Sequence, residues 1–302
     1  MSEGTEQGGW RGALDRVHRF DHWLLGILGR AISGTYSDGF MHAGNLAYLS
    51  LIALFPFFIT AAAIAGLVGQ GDAGREAVEA VLATMPAGVA AVVREPVADV
   101  LTARTGNLLW IGALVGLWTV GSLIETVRDI LRRAYRTSYE RSFWQYRLGS
   151  IGLIIGAVLL MFLSFAAEVV FVGLDEFIDR AAPRMGALVG DFGLSRYIPM
   201  IGLFAAIYLL FLTLTPARYK GRRYPKWPGA LVTALWWVTT LWVLPLALAY
   251  MFSYDLTYGS LAGVMVTLLF FYVVGLGLVM GAEINAALAE RADAEGAEVE
   301  AI

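Results

Sequence analysis

The chain has 302 residues, of which 58% are hydrophobic and 16% charged, and its mean hydropathy is +0.65; a soluble domain carries about 25% charged residues, so this composition belongs to a protein solvated by lipid. A net charge of −3 excludes a basic nucleic-acid-binding surface on the scale of the whole chain. The absence of cysteine excludes disulfides, iron–sulfur clusters, thiolate zinc sites and cysteine nucleophiles.

Residues 1–44 read as a cytoplasmic or interfacial segment. Within it, 10–32 mixes Trp10, Leu14, Val17, Phe20, Trp23 and Leu24 with Arg11, Asp15, Arg16, Arg19 and Asp21, a pattern suited to a helix in the headgroup region. His18 and His22 share a helix face, but two ligands do not make a metal site. His18, His22 and His42 all precede the first long apolar run, so no metal centre or Ser-His-Asp triad is expected inside the membrane. That run is too far from the start for a cleavable signal peptide, and it reads as a signal anchor.

A bilayer core of ~30 Å needs about 20 apolar residues per helix. Six such runs follow, near 45–68, 108–127, 148–172, 198–215, 229–252 and 259–282. The predicted fold is therefore all-α: a polytopic bundle of six transmembrane helices in one domain, 45–287. Between the first two spans, 71–107 carries Val78, Leu82, Met85, Val89 and Val92 at helical spacing, and Pro86 and Pro96 divide it into a short extracytoplasmic cap. The tail, 288–302, is acidic and rich in Ala and Glu, and it reads as a fraying helix that passes into disorder. Of the 22 Lys and Arg residues, sixteen fall on the side holding the termini and the 128–147 and 216–228 connections. The positive-inside rule then places both termini in the cytoplasm.

Several motifs resemble one family. They are Leu54-Phe55-Pro56 in the first span, the connection with Arg133-Ala134-Tyr135 and Phe143-Trp144, and a last span opening on Tyr258-Gly259-Ser260 and closing on Gly281-Ala282-Glu283-Ile284-Asn285. Over about residues 20–290 the chain resembles the YihY/BrkB family. The resemblance implies a multi-pass protein of the bacterial inner membrane. An older label for some members, ribonuclease BN, conflicts with the residues present: there is no His-x-His-x-Asp-His run to converge on two metals. No enzymatic activity, cofactor, metal or nucleic-acid partner is expected.

Ionisable groups near a membrane core are the first place to look for function. Asn45, Glu125, Arg128, Glu283 and Asn285 all fall toward the cytoplasmic ends of their helices. Two readings stand. Either they form a polar pocket in which Glu125 and Glu283 hold a cation, a proton or a substrate amine, or Glu283 and Arg128 form an interhelical pair that locks the bundle. Outside, Glu168, Tyr254, Asp255 and Tyr258 line an acidic mouth or snorkel to the interface. The basic connections suit anionic phospholipid, although topology alone accounts for them. Close-approach glycines lie at Gly112 and Gly116, Gly152 and Gly156, Gly259 and Gly263, and Gly277 and Gly281; they pack either within the chain or in a homo-oligomer. No G-x-x-x-x-G-K-[ST] loop occurs, so any transport would draw on an ion gradient or a partner ATPase. The functional expectation is a transporter or permease of a solute or lipid. The alternative is a non-transporting scaffold or envelope-assembly factor.

Overall fold

The computed structural model describes residues 25–68, 106–138, 144–156, 198–250 and 261–300, with single positions at 79, 82, 83, 90, 94, 142 and 159. Every regular element among them is helical. We number them α1 (25–34), α2 (Phe40–Val68), α3 (Gly106–Ala134), α4 (144–156), α5 (Ile198–Leu214), α6 (Trp227–Tyr250) and α7 (Ala262–Glu300). A π-turn, Thr35–Gly39, joins α1 to α2, and a 3-10 turn, Ala217–Tyr219, follows α5.

The expected boundary at 44/45 falls inside a helix. No residue between 25 and 68 terminates the run: Gly34 and Phe40, which flank the π-turn, both keep right-handed helical backbone angles. Leu25, Leu28, Ile32, Tyr36 and Phe40 recur every three or four residues on the exposed face of this run. The stretch 25–32, predicted to lie in the interface, thus leads without a break into the first apolar helix. Residues 1–24, including His18 and His22, lie outside the described residues.

α7 is central. It packs against α2 and α6 and, less extensively, α3, while α2 pairs with α3 and α5 with α6. The core is formed by Ile130, Leu131, Phe211, Ala230, Ala234, Leu278, Val279, Ala282 and Ala286. Polarity is distributed inside out. Arg132, Arg147, Lys226 and Asn285 are buried, whereas Leu114, Trp118, Leu148, Ile201, Leu235 and Trp242 are exposed. A protein solvated by water buries its charges last. Over Trp227–Ala247 and Ala262–Ala297 the helices are long and apolar enough to cross a membrane; Phe40–Leu54 and Met200–Leu214 are shorter apolar stretches.

The acidic tail does not leave the bundle. α7 continues as helix to Glu300, because its carboxylates meet the cations of the connections. Arg218 reaches Asp293 at 3.4 Å and Arg136 reaches Glu290 at 3.3 Å. The Tyr224 hydroxyl donates to Asp293 at 2.6 Å, and Arg223 donates to the Ala292 carbonyl. The basic connections hold the tail.

Candidate functional site

α6 and α7 meet along a ladder of polar contacts spaced about four residues apart, the spacing that keeps one helix face in register. Trp236 and Trp237 donate their indole N–H groups to the carbonyls of Val273 and Val274 at 2.7 and 2.9 Å, and Thr233 donates to the Gly277 carbonyl at 3.1 Å. At the foot of the ladder Asn285, with no exposed surface, spans the start of α6. Its Oδ1 accepts the Gly229 N–H at 2.8 Å and its Nδ2 donates to the Lys226 carbonyl at 3.0 Å. The first amides of a helix lack intrahelical acceptors, so a side chain of α7 caps α6. This approach requires glycine. A Cβ on Gly281 would lie 2.1 Å from Thr233 Oγ1, one on Gly229 2.1 Å from the Gly281 carbonyl oxygen, and one on Gly277 2.2 Å from Trp236. The pair Gly277 and Gly281 therefore packs within the chain.

A second centre lies where α3 ends and α4 begins. Arg128 pairs with Glu125 at 2.7 Å, one turn away on α3, and its guanidinium also reaches Ser150 on α4 at 3.3 Å; the Ser150 hydroxyl donates to Glu125 at 2.6 Å. Arg132 is held by Asp129 at 3.0 Å. Both guanidiniums stack on Tyr146, at 4.9 and 5.2 Å from the ring centre. Arg147 is buried against α3: it lies 3.8 Å from the Trp118 ring centre, donates to Ser122 at 3.2 Å and to the Trp118 carbonyl, and sits in the notch left by Gly121. α3 closes in a Schellman turn, in which Thr137 and Arg136 donate to the carbonyls of Arg132 and Arg133 at 2.9 and 3.0 Å. Arg136 takes the left-handed position, φ 51°.

Beside this centre is a cavity of about 90 Å³ lined by Arg128, Arg132, Tyr146, Thr215, Ser138 and Lys220, among others. That volume admits several waters or a small oxyanion. The carboxylates that hold the two arginines, Glu125 and Asp129, are not part of its lining. In the adjoining connections the environment acts on three further groups. Burial pushes the Tyr135 hydroxyl up to about 12, with the neighbouring Thr215 pulling the other way. The hydrogen bond to Asp293, then burial, raises Tyr224, and burial followed by the charge of Lys220 lowers Lys226.

The five predicted pocket residues occupy different settings. Glu125 and Arg128 are together. Glu283 pairs instead with Arg30 of α1 at 3.8 Å, and its carboxylate lies where a side chain at Gly34 would project. Arg30 also bonds the Ala134 carbonyl at 3.2 Å and pairs with Glu290. The anticipated Glu283–Arg128 pair is thus replaced by two pairs, because the π-turn brings α1 beside α7 and Arg128 is satisfied by its own helix and α4. Asn285 caps α6, and Asn45 is exposed on α2. Glu168, Tyr254, Asp255, Tyr258 and Gly259 lie outside the described residues. Gly112, Gly116 and Gly263 are helical, and a Cβ on Gly152 or Gly156 meets no described atom within 4 Å. Sequence reasoning missed Arg30, Arg132, Tyr146, Arg147 and Lys220 as site residues, having counted the cations as topological markers. The signal was present in the spacing Arg128-x-x-x-Arg132, which places both on one face.

The comparisons point to a family of membrane proteins. The model of the family described as "Virulence factor BrkB" matches residues 35–301. A UPF0761 membrane protein of Alteromonas mediterranea is 25% identical over 292 residues, covering 94% of this chain and 96% of its own. The ribonuclease-like protein YfkH of Bacillus subtilis is 25% identical over 273 residues, covering 85% and 92%. A UPF0761 membrane protein of Pseudoalteromonas translucida is 24% identical over 269 residues, covering 88% and 85%. No solved structure matches.

Proposed function

Because the chain belongs to the virulence factor BrkB family of membrane proteins, we propose that it is a six-span permease of the bacterial inner membrane that binds a solute or a lipid in the cavity at the cytoplasmic end of its bundle. The single observation that carries this reading is a polar, cation-lined cavity (Arg128, Arg132, Lys220) inside a helical body whose outer face is apolar.

The six-span arrangement is supported by length. α2 and α3 have 29 residues each, ~43 Å at 1.5 Å per residue, more than the ~30 Å hydrocarbon core. The sixteen-to-six partition of Lys and Arg supports a cytoplasmic side for both termini and the cavity. We read the protein as non-enzymatic. The hydrolytic activity suggested by one relative's name would need converging carboxylate or histidine ligands, and the sequence carries no His-x-His-x-Asp-His run to supply them.

Thermal unfolding of the purified chain in nanodiscs, across a panel of ions, amino acids, osmolytes and phospholipids, tests the reading. A saturable rise in melting temperature that is altered in Lys220→Glu, a change in the cavity lining, while that variant folds normally is the expected result; no response to any member of the panel contradicts it. The scaffold alternative draws on one observation: no described atom lies within 4 Å of where a side chain at Gly152 or Gly156 of α4 would project. It predicts that Gly152→Leu abolishes partner capture while Glu125→Gln does not.

A further inference from the structure

We propose that the cavity is an oxyanion site selective for phosphate-class ligands, either a free phosphate or the phosphodiester of a lipid headgroup. The inference rests on the reading of this cavity as the ligand site and names its substrate class. It reverses the expectation from sequence, in which two carboxylates would hold a cation or an amine.

Three observations support it. First, the charge around the cavity is asymmetric. Arg128, Arg132 and Lys220 line it, whereas Glu125 and Asp129, which pair with the two guanidiniums at 2.7 and 3.0 Å, are not in the lining. With Arg133, which reaches Asp129 at 3.5 Å, and Arg147, whose charge interacts with Glu125, five cations face two carboxylates. The excess is positive.

Second, the arginines are pre-organised. Each stacks on the Tyr146 ring and is held by a carboxylate one turn back on α3. A planar guanidinium held this way presents a fixed fork of N–H donors, which matches the oxygens of phosphate better than the mobile ammonium of lysine would alone. Third, the rest of the lining supplies uncharged donors. The Ser138 hydroxyl and the Gln145 amide belong to it, and the cavity of about 90 Å³ admits a tetrahedral oxyanion. A lining of donors with its carboxylates withdrawn attracts an anion and repels an amine.

The test uses the full chain and two charge-matched variants. Lys220→Glu changes an exposed lysine of the lining, and Arg222→Glu changes an exposed arginine two residues away that is not in the lining. Both alter net charge by the same amount, so they separate the site from the general field. In one arm, inorganic phosphate is titrated into the detergent-solubilised protein by calorimetry at an ionic strength held constant with chloride. In the other, melting temperatures are compared in phosphatidylglycerol and phosphatidylcholine nanodiscs. Saturable phosphate binding in the wild type and Arg222→Glu, weakened at least tenfold in Lys220→Glu, is the expected result for a free phosphate. Stabilisation by phosphatidylglycerol alone, again lost only in Lys220→Glu, is expected for a headgroup. No anion effect in either arm, or an equal loss in both variants, overturns the proposal. A response only to uncharged or cationic solutes, lost in Glu125→Gln, overturns the phosphate inference and leaves the permease reading intact; phosphate binding without flux in proteoliposomes does the reverse.

Discussion

Asn285→Ala is the perturbation whose cost follows most directly from the geometry. Asn285 is fully buried and makes two hydrogen bonds to the start of α6. Removing its amide leaves the Gly229 N–H without its acceptor in a place water cannot reach, at about 1–3 kcal/mol. The Lys226 carbonyl still accepts the Ala230 N–H at 3.2 Å, so losing its second bond adds only ~1 kcal/mol. The total is about 2–4 kcal/mol. At ~2–4 °C per kcal/mol for a chain above 150 residues, the melting temperature falls by roughly 5–15 °C. Differential scanning fluorimetry in detergent measures the fall, and hydrogen exchange over 227–233 locates it: the first turn of α6 loses protection before the rest of the helix. A change below ~0.5 kcal/mol, or exchange that rises evenly along α6, would refute the cross-helix cap.

Gly281→Ala forces α6 and α7 apart, because its Cβ meets Thr233 Oγ1 at 2.1 Å and the Gly229 carbonyl at 2.6 Å; a loss of about 3 kcal/mol is expected in urea or SDS unfolding, against little or none for Gly152→Ala. Arg136→Gly relieves a left-handed non-glycine residue, φ 51°, and gains about 0.5–1 kcal/mol, less whatever its exposed pair with Glu290 contributes. A loss of stability in that variant would contradict the Schellman assignment. Burial raises the Tyr135 hydroxyl from 10.0 to about 12. The folded state therefore holds its proton more tightly, and the resulting stability is fully present below pH 10 and lost as pH climbs toward 12. Two pKa units set an upper bound of about 3 kcal/mol. Tyr135→Phe abolishes that portion of the alkaline loss in a pH series of melting temperatures, and an unchanged alkaline profile would show that another group controls it.

The all-helical character was legible because apolar runs of about 20 residues announce themselves by composition alone, and five of the six predicted runs coincide with α2, α3, α5, α6 and α7; the described part of the predicted third run, 148–156, continues α4. What the runs do not encode is where polar residues find partners. Glu283 and Asn285 sit two positions apart, yet one faces Arg30 of α1 and the other the first turn of α6, since neighbours on a helix point 100° apart per residue. Arg147 and Arg132 looked like topological charges. Their burial depends on a glycine notch at Gly121 and on the Tyr146 ring, both supplied by packing between helices. The docked tail was missed for a similar reason: acidic composition predicts solvation unless a basic surface lies within reach, and only the fold brings Arg136, Arg218 and Arg223 to α7.

The central claim is that a cation-lined cavity opens to the cytoplasm from a membrane-embedded bundle, and the cysteine-free chain permits a direct test by single-cysteine labelling with a membrane-impermeant maleimide. Ser138→Cys places a thiol in the cavity lining, and Ala83→Cys places one in the segment assigned to the extracytoplasmic cap. Ser138→Cys is expected to label only after the membrane is permeabilised, and more slowly with phosphate present, while Ala83→Cys labels in intact spheroplasts. Labelling of Ser138→Cys from outside the intact cell would contradict it.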